Sequence, residues 1–151
     1  MKKSITAIIL AGCILLTACG NNAFAKEQYD DNSVIIDSAD RYSKTMSFLN
    51  SYNDSVTYTV KQFDGRETVW SDYCKEEQKI GIDYTFTISA GKAKLVFIDG
   101  DDNITTIVEC TPDLVVEKNA TCTVAMTKGN NRFKIVGYDC ENIDFNMKIT
   151  E

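Results

Sequence analysis

From residue 54 onward, apolar and polar residues alternate with a period of two, the pattern of a strand with one buried face. The clearest case is IGIDYTFTI, which puts Ile80, Ile82, Tyr84, Phe86 and Ile88 on one face and Gly81, Asp83, Thr85 and Thr87 on the other. KAKLVFI sets Ala93, Leu95 and Phe97 in phase, and IDFNMKI does the same with Ile143, Phe145, Met147 and Ile149. ITTIVEC, ATCTVAM and RFKIVGY follow the same template. VTYTVKQF and RETVWSDY read as two strands joined at Asp64-Gly65, because Asp-Gly supplies the positive φ angles of a tight hairpin turn. Gly, Asp and Asn clusters separate the runs, and a helical period is almost absent. About eight short strands with turn signals every ~8–12 residues predict an all-β domain over residues 54–151, a β-sandwich or barrel.

The preceding segment has no such rhythm. GNNAFAKEQYDDN is polar and irregular. SVIIDSADRYSKTMSFLN carries Val34, Ile35, Ile36, Tyr42, Met46, Phe48 and Leu49 with no clean period, and suits a short helix or an edge strand. Residues 19–53 are therefore expected to act as a tether.

The first residues read as an export signal. Met1-Lys2-Lys3 is a short positive start, and Ile5 to Ala18 is uncharged and apolar, shorter than the ~20 residues a membrane-spanning helix needs. Leu16-Thr17-Ala18-Cys19 resembles a bacterial lipobox, which implies cleavage after residue 18 and a diacylglycerol thioether on Cys19. Leu10-Ala11-Gly12-Cys13 fits the same pattern but would halve the apolar region. A rival cut follows Ala23-Phe24-Ala25 and would release a secreted, soluble chain beginning at Lys26. The Cys19 reading anchors the protein on the outer face of the bacterial cell membrane, because two acyl chains at ~0.8 kcal/mol per buried methylene hold stably.

Without residues 1–18, 133 residues remain, and their formal charge is −8 against −6 for the whole chain, because Lys2 and Lys3 are lost. That acidity argues against nucleic acid as a partner, since such binding rests on clustered Lys and Arg. The chain has no histidine. This removes Ser-His-Asp and Cys-His nucleophilic machinery and the usual His-containing zinc sites. Beyond Cys19, the cysteines are Cys74, Cys110, Cys122 and Cys140, with no C-x-x-C pair. An exported chain with an even number favours two disulfides, in any of three pairings. Cys110–Cys122 with Cys74–Cys140 is preferred, since Cys110 ends one strand and Cys122 begins another across a loop whose closure adds about 3 kcal/mol. Four free thiols are the alternative.

The segment TFTISAGKAKLVFIDGDDNITTIVEC, followed by ATCTVAMTKGNNRFKIVGYDCENIDFNMKI, resembles the single β-sandwich of small Gram-positive-type cell-envelope lipoproteins. The shared features are a Gly-marked turn before K-L-V-F-I-D-G, a late K-G-x-x-R-F-K-I-V-G and a final F-x-M-x-I strand. The resemblance covers residues 54–149 and implies a fibronectin-III-like or jelly-roll-like antiparallel sandwich. It brings no catalytic residues, and the four cysteines depart from its pattern.

Three sets of residues offer chemistry. Asp99, Asp101 and Asn103 have the D-x-D-x-N spacing that begins a calcium loop. Ile104 and Cys110 stand where that loop needs Gly and Glu, and the same residues suit a hairpin turn. Trp70 and Tyr73, near Asp72 and Glu76, offer aromatic surfaces for a sugar ring, or ordinary strand packing. Glu76, Glu77, Asp83 and Glu109 supply carboxylates for a glycosidase pair, or solvated charges. Asn119-Ala120-Thr121 matches a glycosylation acceptor, a meaning that a bacterial-type export signal disfavours. The expectation is a non-enzymatic, membrane-anchored binding or interaction module whose partner is an envelope protein or glycan. The alternative is a secreted module that binds carbohydrate, or calcium weakly.

Overall fold

The computed structural model describes residues 19–150. The stretch read as an export signal, including Cys13, lies outside them. Two helices come first, α1 (Cys19–Asp30) and α2 (Asn32–Ile35), followed by seven strands. These are β1 (Arg41–Tyr52), β2 (Ser55–Cys74), β3 (Gln78–Thr87), β4 (Ala90–Ile98), β5 (Ile104–Cys110), β6 (Val116–Met126) and β7 (Gly129–Thr150). All strand pairings are antiparallel. The fold is an open antiparallel β-sandwich, as the alternation predicts.

β2 and β7 are long, at 20 and 22 residues, and pair with each other from Ser55–Lys148 to Cys74–Gly129. They serve both layers. The first half of β2 and the second half of β7 lie between β1 and β3, with β6 beyond, forming a front layer. The other halves pair with each other, and β7 continues to β4 and β5, forming a back layer. The ribbon bends where β2 shifts register between Phe63 and Gly65 and where Asp139 and Asn142 of β7 adopt positive φ.

The main core fills the space between the layers. Tyr58, Ile82, Phe86, Phe145 and Met147 come from the front, and Leu95, Phe97, Phe133 and Ile135 from the back. The faces predicted for β3, β4 and the end of β7 are the buried ones, with Ile80 and Ile149 only half-buried. β4 is buried on both faces, because Val96 and Ile98 on its outer side, with Val136 of neighbouring β7, meet Tyr29 of α1 and Ile35 of α2.

The structure corrects two sequence expectations. Asp64-Gly65 is not a hairpin: β2 runs through it, and Gly65 sits at φ +110° inside the strand. The tight turn is Asn53-Asp54, between Tyr52 and Ser55, with Asn53 at φ +52°. The stretch assigned to a tether is also structured. Its helices cover the back layer, and β1 extends the front sheet, so the strands begin at Arg41 instead of residue 54.

Candidate functional site

The cysteines do not form the expected bridges. Cys74, Cys110, Cys122 and Cys140 are free thiols. Cys74 lies opposite Gly129 and Cys140 opposite Phe63, so eleven residues of β2 separate them, ~36 Å of strand, where a disulfide spans only ~4.4–6.8 Å between Cα atoms. Cys110 is buried, and its thiol points to the carbonyl of Phe86 at 3.6 Å. Burial pushes that thiol up to about 11 and the Cys140 thiol up to about 12, which keeps both in the unreactive protonated form.

Asp99 organises a turn. Its Oδ1 accepts the backbone N–H groups of Asp101 and Asn103, each at 2.9 Å, and its Oδ2 accepts the Asn103 side-chain amide at 3.0 Å. Among the described residues, no three His, Cys, Asp or Glu side chains gather as metal ligands. Trp70 packs inward, its ring centroid 5.6 Å from that of Phe133, whereas Tyr73 is exposed three residues further on. The two share no platform. The candidate carboxylates are dispersed: Glu76 and Glu77 precede β3, Glu109 is on β5, and Asp83 on β3 accepts the Thr121 hydroxyl at 3.1 Å.

A surface that the sequence did not single out is the outer face of the front layer. Among the described residues no helix covers it, and its side chains stand in register across the strands. Phe48 of β1 lies beside Thr59 of β2, Asp144 of β7 and Thr87 of β3. The next row is Asn50, Thr57, Asn146 and Thr85. The third is Tyr52, Ser55, Lys148, Asp83 and Thr121. Rows are ~6.8 Å apart and neighbouring strands ~4.8 Å apart. Hydroxyl, amide, carboxylate and ammonium groups thus form an in-register grid, bordered on β1 by two aromatic rings. Phe48 is 58% exposed and Tyr52 72%. A large apolar side chain left that open beside ordered polar groups suits stacking, with the grid supplying directional hydrogen bonds.

The second feature is a buried ionic cluster on the outer face of the back layer. Arg66 of β2 and Arg132 and Lys134 of β7 lie under residues 36–40, the strap that joins α2 to β1. Lys134 is fully buried and donates to the Asp37 carbonyl at 2.6 Å and to Asp40 at 3.2 Å. Arg132 reaches the Ile36 carbonyl and, at 2.9 Å, Asp102. Arg66 faces the Asp37 carboxylate at 3.5 Å, but its Nε and one terminal nitrogen have no partner. Desolvation lowers the pKa of Lys134, and Asp40 opposes the shift. Asp37, Asp40 and Asp102 face the three cations, and the contacts of Arg132 and Lys134 with Ile36, Asp37 and Asp40 fasten the strap to the sheet.

That fastening is sensitive to acid. The amide of Ala39 and then the nearby cations hold the Asp37 carboxyl below its ordinary value. A carboxylate with a depressed folded-state pKa contributes stability that is full above its unfolded value of about 3.9 and is lost as pH falls through the folded value. The melting midpoint is expected to drop on acidification below about pH 4, with a shallower drop in Asp37→Asn, as thermal melts across pH 2–6 would show.

No family model matches the chain, and no curated protein matches its sequence. Solved structures similar to it include the carbohydrate-binding module CBM6cm-2 of Cellvibrio mixtus lichenase 5A in complex with cellotriose. That likeness has 15% identity and a TM-score of 0.43 over 74% of this chain and 89% of that one. A Bacillus endospore appendage that forms disulfide-linked pili gives the same identity and score over 71% and 90%. The CBM35 of Paenibacillus barcinonensis gives 14% identity and a TM-score of 0.35 over 75% and 98%. None of the three reaches a TM-score of 0.5, and the sandwich is established by this chain's own strands.

Proposed function

We propose that the protein is a non-catalytic glycan-binding module, held at the outer face of the cell membrane by lipid on Cys19, which takes an extended sugar chain on the outer face of its front layer. The observation that carries the reading is the in-register grid of Thr, Asn, Asp and Lys beside exposed Phe48 and Tyr52. Three successive rows suit a chain better than a single sugar, and repeated hydroxyl and amide positions suit repeated hydroxyls. Replacing Phe48 or Tyr52 by alanine is expected to weaken binding by about tenfold or more, as for an exposed aromatic hot spot. Because both side chains are exposed, stability is expected to change by less than about 0.5 kcal/mol. Calorimetric titration with a neutral β-glucan, a uronic-acid-bearing glycan and peptidoglycan fragments tests this. Binding to none of them, or binding that both alanine variants retain, would overturn it.

Support for the anchor comes from α1. Ala25 is buried, Tyr29 packs on the back layer, and the Phe24 ring lies 4.7 Å from the Arg41 guanidinium. A cut after Ala25 would remove Phe24 and Ala25 from these contacts, whereas a cut before Cys19 keeps the whole helix. The intact mass of the native protein discriminates. Cys19 plus a diacylglycerol supports the anchor, and a chain beginning at Lys26 refutes it.

A further inference from the structure

We propose that β1 is a self-association edge. Two copies pair antiparallel through residues 41–52 about a two-fold axis and join their front layers into one continuous sheet. Among the described residues, β1 is paired on one side only, with β2, which leaves its other row of backbone N–H and C=O groups open. At 12 residues it is about twice the usual strand length of ~5–6. Natural edges are blunted by charge, proline or brevity. Residues 45–52, TMSFLNSY, contain no charge, proline or glycine.

Charge selects a second copy as the occupant. In a chain with a formal charge of −6, β1 carries no acid at all, only Arg41 and Lys44. Every other open edge holds at least one: Glu109 on β5, Glu117 on β6, and Glu67 and Asp72 on the second half of β2. Two acidic molecules therefore approach with least repulsion along β1. Both cations sit in the first half of the strand, so two-fold pairing sets them opposite the partner's Tyr52 and the partner's Leu49 and keeps them away from each other.

The backbone makes the strand self-complementary. Ser47, Leu49 and Ser51 lie opposite the inward residues Val60, Tyr58 and Val56. Before the kink at Met46, where φ is +47°, the residues opposite buried Phe63 and Gly65 are Lys44 and Tyr42. The side-chain alternation thus changes phase at the middle of β1. In a regular strand, an axis between two residues would set inward side chains opposite outward ones, since alternation has a period of two. The change of phase removes that conflict. With the axis between Met46 and Ser47, all twelve residues pair in the correct sense, and Met46 meets the partner's Ser47.

Sedimentation of the full chain in detergent tests the proposal, together with two sets of variants. The wild type is expected to run at twice its monomer mass. Met46→Asp is expected to dissociate at least about tenfold more readily, because it puts like charges at the axis. Met46 is 79% exposed and aspartate tolerates positive φ, so the subunit fold is preserved. Oxidising a mixture of Met46→Cys and Ser47→Cys chains is expected to give a cross-linked dimer that exceeds the yield of either chain alone. A wild type that stays monomeric into the millimolar range would overturn the proposal. So would a dimer that ignores Met46→Asp and shows no 46-to-47 cross-link.

Discussion

Phe133→Ala is expected to destabilise the sandwich by about 3–5 kcal/mol, the usual cost of removing a buried phenyl ring. Phe133 is fully buried on β7 at the centre of the back layer's inner face. Its ring centroid lies 4.9 Å from Phe97 and 5.6 Å from Trp70, so the loss includes two aromatic contacts as well as the transfer term. The surroundings have little freedom to collapse, because β7 pairs with β2 on one side and β4 on the other at this point. For a domain with a stability of about 5–15 kcal/mol, such a loss brings some molecules to the edge of unfolding. Chemical denaturation followed by the fluorescence of Trp70, the only tryptophan, reads this site directly. A loss below about 1 kcal/mol would mean that the core repacks.

Gly65→Ala is the second large effect, and it acts through the backbone. Gly65 has φ +110°, a conformation in which a side chain is strained by about 1–3 kcal/mol. A Cβ there would also lie 2.2 Å from the Arg41 carbonyl oxygen and 2.7 Å from the Tyr42 Cα. Those atoms belong to the neighbouring strand, so relief requires the start of β1 to move. The expected loss is at least about 2 kcal/mol, together with faster amide exchange at the start of β1. Hydrogen exchange by mass spectrometry separates local detachment of β1 from global loosening. Unchanged protection across residues 41–46 would contradict the account.

The same glycine shows where the sequence was legible and where it was ambiguous. Asp-Gly reports a need for positive φ, and a hairpin turn and an irregularity within a strand both have that need. The local signal was right about the backbone angle and wrong about the consequence. RFKIVGY and IDFNMKI were likewise read as separate strands, because Asp139 and Asn142 look like a turn. They mark a bend in continuous β7. Joining these two pairs and adding β1 turns the expected eight strands into the observed seven. β1 escaped the alternation test because its phase changes at Met46 and its apolar residues face solvent. The inner faces of β3, β4 and the end of β7 were readable because burial there follows the period of two. The front face was not, since Thr59, Asp144 and Thr87 come from three distant segments and only pairing brings them into a row.

The sharing of β7 between the layers has a consequence for the order of assembly. The last strand in the sequence is also the structural spine: β2, β3 and β4 all hydrogen-bond to it. β2 meets it across as many as 93 residues, from Ser55 to Lys148. Loop-closure entropy must be spent on such contacts before they stabilise anything, which places the rate-limiting event at the docking of β7. Until then, neither layer has its central strand, and only the β1–β2, β4–β5 and β3–β6 pairs can form. Folding of the sandwich therefore waits until β7 is available to dock.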